Sequence, residues 1–119
     1  MITLNELRIG NLFIGYDDKV FELSLQHYNI LWCDVSIDEI IKSPIPITEE
    51  WLLKFGFEEQ MRWTYKINLN GNLNLVYYVG EKGVSINNKQ YSDFQCTYTH
   101  QLQNIYFSLT GKELTLSVP

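Results

Sequence analysis

Two cysteines, two histidines and three prolines are all that 119 residues contain, and each scarcity removes a class of protein. Cys33 and Cys96 stand 63 positions apart in dissimilar surroundings, with none of the close spacing that marks a zinc site or a disulfide framework. Both read as reduced, half-buried filler residues. His27 and His100 each lack a nucleophile or second titratable group at a recognisable spacing, so no catalytic residue, no metal ligand and no cofactor is assigned. "GNLFIG" and "GEKG" pair glycines without leading into a helix that could receive a phosphate, and there is no Gly-Lys-Ser sequence and no Gly-x-Ser-x-Gly elbow. No window approaches the roughly 18 apolar residues of a membrane span, and "MITLNELRIG" lacks the basic flank and apolar run of a secretory leader. A cytoplasmic protein is expected.

Positive charge is also short. Lys and Arg number 9 against 14 Asp and Glu, a net of -5. Residues 1 to 59 hold eleven acids and four bases, whereas residues 60 to 119 hold three and five, so the acidity belongs to the first half. A nucleic-acid footprint over the whole molecule is excluded, and an acidic face suits a basic protein partner. What the chain does have is apolar residues at 45% and aromatics at 14%, enough for one self-standing domain over residues 1 to 119.

The order of the pattern predicts an α+β fold, with an antiparallel sheet of hairpins and a meander and two short helices packed on it. "LRIGNLFIGYDDKVFELSL" reads as a hairpin turning at Gly15 to Asp18, and "YNILWCDVSIDEI" as a further strand around Ile30, Trp32 and Val35. "SPIPITEEWLLKFGF" predicts a helix over 49 to 55, with Thr48 capping its start, Glu49 and Glu50 in its first turn and Gly56 stopping it. Trp63, Tyr65, Ile67 and Leu69 alternate up to Asn70-Gly71, and the alternation resumes at Leu73, Leu75 and Tyr77. A second turn at Gly80 to Gly83 then adds a short strand at Val84 to Ile86. Leu102, Ile105, Tyr106 and Leu109 recur at helical spacing over 100 to 110, with Thr99 as cap, Gly111 as stop and His100 in the first turn, either near the surface or hydrogen-bonded to a neighbouring loop. "KELTLSV" reads as a last strand.

Two sets of surface residues follow. Asp17, Asp18, Asp38, Glu39, Glu58 and Glu59 are acidic neighbours in turns or near helix ends, candidates for meeting a basic partner or imitating nucleic-acid phosphates. Arg62, Trp63, Tyr65, Lys66 and Tyr77 interleave charge with aromatics, the alternative of a platform for single-stranded nucleic acid. A pocket of tyrosines and asparagines acting as a small-molecule sponge is a third reading.

"ELRIGNLF", "IPITEEWLLKFGF" and "HQLQNIYFSLTGKEL" together resemble small phage- and prophage-encoded proteins, and their order and spacing cover most of the chain. The resemblance carries no catalytic residues. It implies a non-enzymatic inhibitor of a bacterial defence complex working in the host cytoplasm, an anti-CRISPR protein among them. The basic guide channel of an RNA-guided nuclease such as a type VI effector would be its partner. A homodimer formed through an open strand edge is the remaining expectation about assembly.

Overall fold

In a computed structural model, residues 7–24, 26–27, 37–61, 63–70, 73–87, 94–114 and 116 are described. The strand expected around Ile30 to Val35, Cys33, Arg62 and the Asn70-Gly71 turn at Gly71 lie outside them. The fold is α+β, with two antiparallel sheets of three and five strands.

Apolar Leu12–Ile14 (β1) pairs with Val20–Glu22 (β2), as the sequence predicts. Their turn needs a left-handed residue, and Asp18 supplies it at φ 63° while the Asp17 carboxylate accepts from the Lys19 amide at 3.1 Å. The short helix Ile37–Ile40 (α1) leads to Ser43–Pro44 (β3), which covers the other side of β1 and gives the order β2-β1-β3. Pro44 suits that position, because an edge strand can spare the missing amide.

Glu49–Lys54 (α2) ends where the sequence places it. The Thr48 hydroxyl accepts from the Trp51 amide, Gly56 takes φ 95°, and the Phe57 amide donates back to the Leu52 carbonyl at 2.9 Å. Leu52, Phe55 and Phe57 point into the core, and Leu53 points out.

Glu58–Met61 (β4), Thr64–Asn70 (β5), Leu73–Tyr78 (β6), Gly83–Ile86 (β7) and Phe94–Gln95 (β8) form a meander in sequential order. Tyr65 faces Tyr77 and Ile67 faces Leu75 across β5 and β6, so the alternating residues share the core side. Two details depart from expectation. β4 is a strand that its polar sequence, Glu-Glu-Gln-Met, gives no alternation to reveal. Trp63 is not a strand residue: Met61 pairs with Thr64, and Trp63 lies in the turn between them.

Thr99–Thr110 (α3) lies against β1 and β5 and joins the two sheets through a shared core that includes Leu12, Leu52, Tyr65, Leu75 and Leu102. Its details correct several expectations. Tyr98 is the capping position, and the Gln101 side chain reaches back to accept from the amides of Thr97 and Tyr98 at 2.9 and 3.1 Å, so Thr99 is already helical. His100 is fully buried, its ring centroid 4.9 Å from Phe13 and 6.1 Å from Tyr98. The inward face carries Thr99, His100 and Gln103 beside Leu102, and Leu109 is exposed. Gly111 does end the helix, at φ 73°. Beyond it the described residues 112–114 and 116 form no strand, although Leu114 is buried.

Candidate interaction surface

The acidic residues singled out by sequence do not converge. Asp17 and Asp18 sit at the tip of the β1–β2 hairpin, and Asp18 is already ion-paired to Lys42. Glu39 is exposed on α1; Asp38 belongs to the same helix, and its side chain lies outside the described residues. Glu58 and Glu59 are both exposed on β4, on opposite faces because strand side chains alternate. Glu58 lies across from Lys66 in the register of β4 and β5.

Glu59 lies across from Tyr65, and here the structure builds a small charged centre. The Tyr65 ring is buried against the core, and its phenol donates to the carboxylate of Glu49, the first residue of α2. Burial, then the nearby charges of Glu49 and Glu59, holds that phenol above its ordinary 10.0. Arg8 pairs with Glu113, Lys42 with Asp18 and Lys54 with Glu50, and none of these pairs engages Glu49 or Glu59. Two exposed carboxylates from different elements thus stand by one phenol, Glu49 as its hydrogen-bond acceptor and Glu59 opposite Tyr65 in register. Glu49 was legible only as a helix-start residue; its pairing with Glu59 depends on α2 packing beside β4 and β5.

At the end of the same hairpin, Met61 is 66% exposed and Trp63 53% exposed. Trp63 holds φ 72°, a backbone region in which bulky residues are rare. Its carbonyl accepts from the Val79 amide at 2.9 Å, fixing the turn against the end of β6. The half-exposed ring presents apolar surface at the end of the hairpin.

The interleaved aromatic set is taken apart by the fold. Tyr65 and Tyr77 are interior, and the Tyr77 hydroxyl donates to the Cys96 carbonyl at 3.0 Å. Lys66 projects from the opposite face, which leaves Trp63 as the exposed ring among Trp63, Tyr65 and Tyr77. The polar face behind Lys66 carries a shallow groove of about 400 Å³ lined by Gly56, Glu58, Lys66, Ile67, Asn68 and Asn74. Its asparagines are engaged with each other and with the chain: the Asn68 amide donates to Asn74 Oδ1 at 3.3 Å, and Asn87 Oδ1 accepts from the Asn74 amide at 3.2 Å. No tyrosine among the described residues lines it. A second cleft, of about 260 Å³, runs beside α3 between Glu22 and Glu113 over Leu12, Leu114 and Leu116.

Searches against protein-family models, curated proteins and solved structures return no match to the chain.

Proposed function

We propose that the protein works by binding, and that its partner is a protein with a basic surface. The observation that carries this reading is the pair of exposed carboxylates Glu49, which accepts from the Tyr65 phenol, and Glu59, opposite Tyr65 in register, beside the hairpin end that displays Met61 and Trp63. Trp and Met are enriched in the centres of protein interfaces, where a few buried anchors supply most of the affinity, while charge of one sign steers the encounter and rejects wrong partners.

Within that reading, we propose that the chain inhibits a bacterial defence complex, as a resemblance to phage and prophage proteins would imply. An RNA-guided nuclease of the type VI kind, with its basic guide channel, is the specific target proposed. The mechanism is stoichiometric occlusion, with no substrate turned over. Single-stranded nucleic acid is the weaker reading, since two of the three rings meant for stacking are inside the core.

The test is a tagged pull-down from bacterial lysate with and without nuclease, repeated with the Glu49→Lys, Glu59→Lys double variant, alongside target-RNA cleavage by a purified type VI effector. A nuclease-resistant protein partner lost in the double variant, and cleavage inhibition that saturates at equimolar protein, is the expected result. A catch that disappears with the nucleic acid would reverse the choice between the two readings.

A further inference from the structure

Resting on that reading, we infer that the outer edge of β4 is the docking line, and that it takes an extended partner segment carrying Lys or Arg as an added strand of the five-stranded sheet. β4 ends the order β4-β5-β6-β7-β8, so β5 alone pairs with it among the described residues. A strand edge of this kind presents unpaired amides and carbonyls, and proteins usually blunt it by shortness, proline, charge, a bulge or cover. Of the other three sheet ends among the described residues, β8 and β3 have two residues each, β3 with Pro44, and β2 has three. β4 runs for four residues without proline; its register shifts between Glu59 and Met61, and Glu58, Glu59 and Met61 are exposed, so charge of one sign guards this edge.

Charge decides what this edge accepts. Pairing with a second copy would gather four carboxylates into one short antiparallel ribbon, and like charges facing each other across strands are destabilising. A segment with Lys or Arg reverses that sign. The two faces of the edge also differ. A side chain beside Glu58 meets one carboxylate, opposite Lys66 in register, whereas one beside Glu59 lies on the face of the sheet where Glu49 accepts from the Tyr65 phenol. The cationic requirement therefore falls on one face of the incoming strand, which fixes its register. Past Met61, the segment runs onto the exposed Trp63 ring, where an apolar residue completes the contact.

The test selects a displayed library of random peptides on the full chain and titrates the recovered sequences as synthetic peptides. Selected peptides are expected to carry Lys or Arg on one alternating face. N-methylation of alternate peptide amides should weaken binding about fivefold on the edge that faces β4 and leave the other edge unaffected. Glu59→Lys should weaken binding about tenfold or more, with Glu58→Lys doing less, and the β4 amides should exchange more slowly in the complex. Basic peptides whose binding ignores N-methylation on both edges would overturn strand addition and leave the acidic surface standing. Selection without basic residues, or affinity unchanged by Glu49→Lys and Glu59→Lys, would overturn both. A concentration-dependent dimer with protected β4 amides would assign the edge to a second copy and overturn the inference.

Discussion

The side-chain amide of Gln103 is hydrogen-bonded to the backbone of Leu12, accepting its N–H at 2.9 Å, and the same amide donates to the Gly10 carbonyl at 3.0 Å. One helix side chain thus serves as a strand partner for the start of β1, 91 residues away. Beside it, Asn104 Oδ1 accepts from Arg8 at 2.6 Å and from Asn11 at 3.0 Å, and Arg8 pairs with Glu113 and lies 4.1 Å over the Phe107 ring. The junction between the first sheet and α3 is polar, buried at Asn11 and Gln103, and satisfied.

Gln103→Leu removes both amide contacts and strands a buried N–H beside a carbonyl. It should cost about 2–4 kcal/mol, seen as a lower urea midpoint at constant slope and a melting temperature several degrees lower. A neutral result would show that the apolar replacement repacks the junction.

Alkali should unfold the protein through its buried acids. Burial pushes the Cys96 thiol from an ordinary 9.0 up to about 12, and burial followed by the neighbouring Cys96 raises the Tyr77 phenol above its ordinary 10.0. Both groups are neutral when protonated, so their contribution is fully present below the unfolded values and is lost as pH climbs through the folded ones. For Cys96 the window runs from 9.0 to about 12, at up to about 1.4 kcal/mol per pH unit. Denaturation midpoints taken across that window should fall, and less steeply in Cys96→Ala. In a Cys33→Ser background, Cys96 should resist an aromatic disulfide reagent at neutral pH until the chain unfolds.

Gly111 offers a clean backbone test. It sits at φ 73° with open space where a Cβ would be, so Gly111→Ala meets no clash and pays only for the left-handed conformation. A loss of about 1 kcal/mol is expected in thermal or chemical unfolding.

Trp63 should show stability and binding moving in opposite directions. Replacing it by Asn, which tolerates φ 72°, should leave the fold at least as stable as the parent. The same variant should bind the proposed partner about tenfold or more weakly, as expected for an interface anchor. A marked drop in melting temperature would instead make the ring a structural element of the hairpin.

Much of the architecture was legible because local chemistry and burial agree in those places. Thr48, Glu49 and Gly56 punctuate α2 as expected, and alternation from Tyr65 to Tyr77 matches the β5–β6 register. β4 was missed because an edge strand exposed on both faces needs no apolar alternation. The tail was misread for a related reason: Leu114 and Leu116 alternate without any partner strand among the described residues, one buried and one exposed. His100 was misplaced, and Gln103 went unread, because a polar side chain in a helix reads as solvent-facing unless its distant partners are known. The ring of Phe13 and the backbone of Leu12 make those two positions interior.

The sequence by itself determined the elements whose signals are local: the β1–β2 turn, both ends of α2, the meander and the glycine stop of α3. It also determined the acidity of the first half, since charge is additive over residues. The tertiary structure alone decided which of those charges and rings act together. Glu49 accepts from the Tyr65 phenol on the face where Glu59 lies opposite in register, while Tyr65 and Tyr77 turn inward and Trp63 turns outward. Such relationships depend on how separate elements pack, and short-range periodicity carries no term for contacts between side chains far apart in the chain.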